Sequence, residues 1–306
     1  MSVFQSFFLG GFECSTQRLR SGKRLDLIAA TGHDRLARQD YRRLQEYGIH
    51  AARDGVRWHL VERTPGQYDW SSVLRMVRAA TQTGMQVMWD VFHYGYPDDL
   101  DIWKAAFVER FARFAGAFAG LLRDECDQPM LFCPMNEISF VSWAGGHANY
   151  LNPFASGRAM ELKAQLVRAS IAAIEAIWDV DPRARIALID PIIHIVADPE
   201  RPHERQLAAD YVQVQFQAWD MLAGRQWPHL GGNQRYLDLL GVNYYFNNQW
   251  IHEGPALDIE HPQYRPVREL LLDVYRRYER PIFIGETGIE GERRAAWLRY
   301  IGGEVR

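Results

Sequence analysis

The sequence predicts an α/β fold, a (β/α)₈ barrel of the TIM type whose eighth strand–helix unit is missing or incomplete. Three observations predict it. Short apolar segments alternate along the chain with segments of helical periodicity, polar side chains close most of the apolar segments, and nothing after the seventh apolar segment has the pattern of a further strand. Alternating strands and helices are typical of a parallel sheet with helices on its outside.

Seven short segments have the composition of buried parallel strands, which are continuous apolar runs rather than alternating ones. They are rich in β-branched and aromatic residues. In chain order they are FFLGGFE (7–13), DGVRW (54–58), QVMWDVFH (86–93), MLFCPMNE (130–137), RIALIDPI (185–192), LDLLGVNYY (237–245) and PIFIGETG (281–288).

The segments between these strands have apolar residues every three or four positions, the spacing of one helix face. In two of these segments a glycine, Gly48 or Gly84, directly follows the apolar stripe, and glycine is favoured just after a helix ends. The predicted helices cover 35–48, 71–84, 104–125, 160–178, 204–222 and 265–278. No linker or repeat interrupts the series, so a single barrel domain spanning 1–306 is expected.

Polar residues at the strand ends favour a barrel over a doubly wound open sheet. A barrel assembles its active site from the carboxyl ends of many strands, whereas an open sheet gathers polar groups at one switch point, with a glycine-rich turn. The sequence has no such turn. Its strand ends carry Glu13, Arg57, His93, Asn136, Glu137, Asp190, Asn243, Tyr245 and Glu286.

Composition limits the possible partners. The formal net charge of −3 argues against nucleic acid or an anionic membrane surface as a partner. The three cysteines have no paired spacing, and the ten histidines show no metal-binding motif, so no disulfide framework, metal or cofactor is expected. The apolar N-terminus MSVFQSFFLGGFE lacks the cationic start and cleavage site of a signal peptide, and a cytoplasmic location is therefore expected.

Two glutamates stand out as candidates for catalysis. Glu137 and Glu286 close the apolar strands LFCPMNE and PIFIGE, so a barrel would direct both into one cavity. Two carboxylates across a cleft suit the hydrolysis of a glycosidic bond, in which one protonates the leaving oxygen and the other attacks the anomeric carbon. Arg57 and Tyr245 are candidates to stabilise the attacking carboxylate. The alternative is that each glutamate is a strand-end residue exposed to water.

Six segments, in order along most of the chain, resemble motifs of glycoside hydrolase family 1, the β-glucosidase and β-galactosidase family. They are FFLGGFECSTQ, GVRWHLVERTPGQYDWSSV, DVFHYGYPDDL, CPMNE, LLGVNYY and PIFIGETG. The resemblance implies a retaining β-glycoside hydrolase acting on small β-glycosides. Glu286 would be the nucleophile and Glu137 the acid/base. The positions that match the family's sugar-binding or nucleophile-supporting residues are Gln17, Arg57, His93, Asn136, Asn243 and Tyr245.

Two further aromatic residues belong to the predicted sugar site. Tyr94 stands where the family usually has tryptophan after the histidine. Trp143, just past Glu137, could be a platform for a sugar ring, or it could pack in a loop at the barrel rim.

The sequence departs from the family after Glu286, where it runs GERRAAWLRYIGGEVR and offers no eighth strand. A shortened chain, a second chain that completes the barrel, or a genuine adaptation could explain this, so a homo-oligomer is one expectation. A small carbohydrate or glycoside is the expected partner. Two functional alternatives stay open: a transglycosylase or another family of the same clan, and a non-catalytic sugar-binding barrel.

Overall fold

The computed structural model describes residues 3–306, so the first two residues of the apolar N-terminal segment lie outside it. The strands are β1 (Leu9–Gly11), β2 (Ala51–Gly55), β3 (Gln86–Asp90), β4 (Leu131–Cys133), β5 (Arg185–Pro191), β6 (His194–Val196), β7 (Leu239–Asn243), β8 (Gln249–Ile251) and β9 (Ile282–Glu286). Seven of them form one parallel sheet, in the order β1-β2-β3-β4-β5-β7-β9, while β6 and β8 form a small separate pair.

The helices follow the predicted alternation. They are α1 (Leu27–Thr31), α2 (His33–Glu46), α3 (Trp58–Val61), α4 (Ser71–Thr83), α5 (Ala105–Glu125), α6 (Ile138–Gly146), α7 (Ala159–Val180), α8 (Arg205–Gln213), α9 (Gln217–Leu222), α10 (Val267–Tyr278) and α11 (Arg294–Glu304). The helix predicted over 204–222 is divided, because a 3₁₀ turn at Val214–Phe216 separates α8 from α9. Sequence analysis did not predict α1, α3, α6 or α11.

The seven parallel strands form a nearly closed barrel with one gap, as predicted. Strand β1 pairs with β2, and β9 pairs with β7, but β1 and β9 do not pair with each other. We call the gap between β1 and β9 the seam. A cavity of about 980 Å³ occupies it, and large exposed apolar side chains surround that cavity: Phe7, Phe8, Leu272, Tyr275 and Leu298.

Two apolar layers hold the barrel together. The smaller one joins side chains of four barrel strands, with Val3, Phe4 and Phe283 packed against it. It contains Met88, Leu131, Cys133, Ala187, Ile189 and Leu239. The larger layer lies between the strands and the outer helices, where the fully buried ring of Trp58 stacks on Phe114 of α5. Burial of this apolar surface is the main force that closes the helices onto the sheet.

Strand β2 lies three residues earlier in the chain than predicted. The sequence suggested 54–58, but the strand covers Ala51–Gly55, and all five residues are buried. Side chains alternate between the two faces of a strand. Arg53 accordingly contacts residues at the carboxyl end of the barrel, while Asp54 contacts His33 and Tyr41 of α2.

None of the helices found in residues 3–306 is long and apolar enough to cross a lipid bilayer.

Candidate active site

Polar side chains from five barrel strands meet at the carboxyl end of the barrel. Arg53 is the residue that joins most of them. Its Nε and Nη2 atoms donate to the two oxygens of Asp90 at 3.0 and 2.7 Å, its Nη2 also donates to Asn136 Oδ1 at 2.6 Å, and its Nη1 donates to Glu286 Oε1 at 2.6 Å. The buried guanidinium is therefore shared by two carboxylates, and its hydrogen bonds fix their positions.

The prediction that Arg57 supports Glu286 is wrong. Because β2 ends at Gly55, Arg57 lies beyond the strand, just before α3. Its guanidinium donates to Asp26 at 3.2 Å and to Asp34 at 2.9 Å, away from Glu286. The arginine that contacts Glu286 is Arg53, four residues earlier.

Glu286, the last residue of β9, has two partners. Besides Arg53, the hydroxyl of Tyr245 donates to Glu286 Oε2 at 2.9 Å. The carboxylate thus has one cationic and one neutral donor, one on each oxygen. Gly285 is needed beside it, because a Cβ atom there would meet Asn243 Oδ1 at 2.8 Å.

Glu137 lies in a more enclosed environment. The side chain is buried, its Oε2 accepts from the Tyr94 hydroxyl, and its Oε1 accepts from Asn243 Nδ2 at 2.8 Å. Both Glu137 and Tyr94 have left-handed backbone conformations, with φ of 52° and 68°. Such conformations are costly for residues other than glycine and are enriched at functional sites.

Burial, and then the charge of Glu286, raise the pKa of Glu137 to about 7. A carboxyl group in this state is largely protonated below neutral pH and can donate a proton.

The two glutamates are linked through three side chains. Glu137 bonds to Asn243, whose Nδ2 lies 3.5 Å from Asn136 Oδ1, and Arg53 bonds to both Asn136 and Glu286. The structure therefore brings Glu137 and Glu286 into a single polar cluster. The pKa of the Tyr245 hydroxyl is raised by burial and by the charges of both carboxylates.

His93 lies on the other side of this cluster. Its Nδ1 is 2.7 Å from Asp90 Oδ2, and its Nε2 is 3.2 Å from Asn136 Nδ2. Burial opposes protonation of the ring, but Asp90 outweighs it and raises the pKa of His93. The pKa of Asp90 stays at about 2 despite burial, because Arg53 and His93 stabilise its charge.

Cys14, Asp90 and His93 are close enough to be considered as metal ligands, since their ligand atoms lie within 4.8 Å of one another. Their bonding does not suit a metal, however. Both oxygens of Asp90 accept hydrogen bonds from Arg53, and the pKa of the buried Cys14 thiol is raised well above its usual value. A cysteine ligand must be a thiolate, and the raised pKa of Cys14 keeps it in the thiol form.

Asp190, at the end of β5, holds the helix that follows Glu137. Its Oδ1 accepts from the backbone N–H of Ser139 at 3.0 Å, and its Oδ2 accepts from the Ser139 hydroxyl at 2.7 Å. These bonds satisfy donors in the first turn of α6. Burial raises the pKa of Asp190 to about 7.

Two predicted sugar-site residues lie outside the cluster. Gln17 is half-buried, and its Oε1 is buried with no hydrogen-bond partner in the described part of the chain. Trp143 is 42% exposed and packs against Phe140 and Tyr150 at the rim. Their roles toward a sugar remain predictions.

Sequence analysis missed Arg53 and Asp90, and it noted Glu13 only as a strand-end residue. Charged residues inside apolar strands, in AARDG and QVMWD, were the available signal. A charge within a buried strand must be paired, so Arg53 and Asp90 could have been matched with each other.

Comparison with known proteins supports the fold. Neither a protein-family model nor a curated protein matches the sequence. Among solved structures, a family 1 β-glucosidase from Thermotoga maritima has a TM-score of 0.73 and 15% identity, covering 97% of this chain and 81% of its own. The virulence factor SghA from Agrobacterium tumefaciens has a TM-score of 0.74 and 16% identity, with coverage of 97% and 81%.

A hyperthermophilic β-glucosidase mutant has a TM-score of 0.73 and 17% identity, covering 99% of this chain and 88% of its own. The chain thus shares the fold of family 1 glycoside hydrolases over most of its length. At such low identity the likeness concerns the fold, and the chemistry has to be argued from the residues of the cluster.

Proposed function

We propose that this protein is a retaining β-glycoside hydrolase in which Glu286 is the nucleophile and Glu137 the acid/base. The observation that carries the proposal is the difference between the two carboxyl groups within one cluster. Glu137 is buried with a pKa raised to about 7, whereas Glu286 is bonded to the guanidinium of Arg53. A retaining glycosidase needs one protonated and one ionised carboxyl group.

In the first step, a lone pair of Glu286 attacks the anomeric carbon, and the bond from that carbon to the leaving oxygen breaks. Glu137 gives its proton to that oxygen, so the aglycone leaves as a neutral alcohol. Tyr245 and Arg53 orient Glu286 through the bonds on its two oxygens. The products of this step are a covalent glycosyl-enzyme and an ionised Glu137.

In the second step, ionised Glu137 removes a proton from water, which attacks the same anomeric carbon. The ester bond to Glu286 breaks, and both carboxyl groups return to their starting states. Two displacements at one carbon retain the β configuration. The hydrogen bonds from Asn243 and Tyr94 keep the Glu137 carboxyl group in place through both steps.

The fold and the cluster together support a proposal for the substrate class. SghA, which has the same fold, has been solved with its substrate analog salicin. We therefore propose small β-glycosides as substrates. Asn136 and His93, which lie just after the ends of β4 and β3, would bind hydroxyl groups of the sugar.

Trapping the intermediate tests this proposal. An activated 2-deoxy-2-fluoro β-glycoside slows the second step and leaves the sugar on the nucleophile. Peptide mapping should find the label on Glu286. Glu286→Gln should remove the label and lower kcat by about 10³-fold or more on aryl β-glycosides.

Glu290→Gln is the matched control, because Glu290 is an exposed glutamate in the loop after β9. This variant should be labelled like the wild type. Label on another residue, with Glu286→Gln still active, would reject the assignment. Sugar binding without cleavage of any aryl β-glycoside would reject the enzyme itself.

A further inference from the structure

One carboxylate that lines the cavity beside Glu286, that of Glu13, has no part in the mechanism above. Glu13 lies two residues after β1, and its side chain is 47% exposed. It lines the cavity of the seam together with His93, Tyr245 and Glu286. Because β1 forms one edge of the seam, Glu13 lies on the side of the cluster where the barrel is open.

The local contacts of Glu13 leave it able to bind a ligand. Its Oε1 accepts from the backbone N–H of Ser15 at 2.9 Å, which fixes the side chain. The same oxygen is 3.6 Å from His93 Nε2, a distance too long for a hydrogen bond. A hydroxyl group both donates and accepts, so one placed between Glu13 and His93 would bond to both.

The charge of Glu13 also needs an explanation. Burial tends to raise its pKa, but His93 and Ser15 outweigh burial and lower it. Glu13 is therefore ionised at neutral pH, although the charge of Asp90 opposes its ionisation, and it lines the same cavity as Asp90 and Glu286. Two negative charges in one cavity repel each other, and hydrogen-bond donors on a ligand would offset that cost.

We infer that Glu13 is a substrate-binding residue that accepts hydrogen bonds from hydroxyl groups on the part of the sugar ring facing the seam. The inference rests on the proposed function only in taking the cavity to hold a sugar. A carboxylate accepts well from adjacent hydroxyl groups, since its two oxygens offer several lone pairs. Glu13 would thereby contribute to the choice among sugars that differ in one hydroxyl.

Binding of non-hydrolysable sugars tests this independently of turnover. The probes are phenyl 1-thio-β-glycosides of glucose, galactose and mannose, together with the 3-, 4- and 6-deoxy analogues of the tightest binder. Isothermal titration would compare the wild type with Glu13→Gln, whose amide oxygen can still accept from Ser15. The variant should bind the parent sugar about ten- to a hundredfold more weakly.

The deoxy series separates a contact with the sugar from a structural effect. One deoxy analogue should bind the wild type and Glu13→Gln with equal affinity, because it lacks the hydroxyl group that donates to Glu13. Equal affinity of both proteins for the parent sugar, or an equal loss for every analogue, would overturn the inference. Glu13→Ala provides a second variant with the same expected pattern, and Glu290→Gln should bind like the wild type.

The outcomes also separate this inference from the proposed function. A wild type that binds the thioglycosides but cleaves no aryl β-glycoside would reject the hydrolase and leave the Glu13 comparison valid. A wild type that binds none of the sugars would overturn both.

Discussion

Glu137 and Glu286 are chemically identical, and their surroundings give them different properties. Glu137 is buried beside Tyr94 and Asn243, two neutral donors, so its charge is poorly stabilised. Glu286 lies against a buried guanidinium. Because burial favours the neutral acid and a cation favours the carboxylate, these surroundings fit the proposed acid role of Glu137 and the proposed nucleophile role of Glu286.

This contrast predicts a pH dependence. The pKa of Glu137 is raised to about 7, so the protonated form that the first step needs is lost as the pH rises through this value. We expect kcat/KM for an aryl β-glycoside with a poor leaving group to fall about tenfold per pH unit above roughly pH 7. The pH profile of the wild type measures this directly.

Glu137→Gln is the informative variant. It should lower kcat/KM on the same substrate by about 10²–10⁴-fold and remove the alkaline limb of the profile. Glu292→Gln, on the exposed 3₁₀ turn Gly291–Arg293 before α11, should keep both the wild-type kcat/KM and the alkaline limb. An alkaline limb that persists in Glu137→Gln would show that another group is the acid.

The sequence could predict the two glutamates of the cluster, but it could not predict the arginine that contacts Glu286. Glu137 and Glu286 were identifiable because each carboxyl group ends an apolar run. The contact between Arg53 and Glu286 joins residues 233 positions apart. No local pattern encodes such a pair, and only the barrel brings β2 and β9 within reach of each other.

Among the elements, strand β2 shows why the predicted bounds differ from those in the structure. DGVRW contains the large apolar residues Val56 and Trp58, whereas the apolar side chains of AARDG are two alanines, so the apolar pattern favours DGVRW. In the structure, Arg53 and Asp54 are both buried, one on each face, and each is paired. An unpaired charge is costly to bury, so composition alone argues against a buried strand at AARDG. The cost is offset here because each charged side chain has a partner on its own face of the strand.

The outer face of β2 makes a testable contribution to stability. His33 of α2 is buried between Asp40 and Asp54, with both ring nitrogens 2.8 Å from a carboxylate oxygen. Burial tends to lower the pKa of His33, but Asp54 and Asp40 outweigh it and raise the pKa. His33→Gln should lower the free energy of unfolding by about 2–4 kcal/mol near pH 6.

The sign of the pH dependence follows from the raised pKa. Stabilisation by His33 is fully present below the unfolded pKa of about 6.5 and is lost as the pH rises through the folded value. The difference in unfolding free energy between wild type and His33→Gln should therefore be larger at pH 6 than at pH 9. Denaturant titrations at both values measure it, with exposed His50→Gln as the control. A difference that grows toward pH 9 would contradict this assignment.

For the whole molecule, the alternation of strands and helices was enough to predict the barrel and its missing strand. That pattern is local, and the connection rules of parallel sheets leave few other arrangements. The exposed apolar side chains around the seam were not predicted. Phe7 belongs to a predicted strand and Leu272 to a predicted helix, and both are exposed because no strand within residues 3–306 fills the seam.

The open seam predicts uneven protection of backbone amides from hydrogen exchange. Strands β4 and β5 have neighbours on both sides and are almost wholly buried, whereas β9 has one neighbour and is half-buried throughout. Amides that point into the seam lack a ladder partner, and unprotected amides exchange rapidly. Peptides covering β1 and β9 should exchange at least about tenfold faster than peptides covering β4 and β5.

Repeating the exchange at low and high protein concentration shows what covers the seam. Edge strands bordered by exposed apolar side chains favour pairing with another chain. If two copies associate along the seam, protection of β1 and β9 should rise with concentration, while β7, which has neighbours on both sides, should not change. Protection equal to that of β4 at every concentration would mean that the seam is closed in solution, and the open barrel described here would then be wrong.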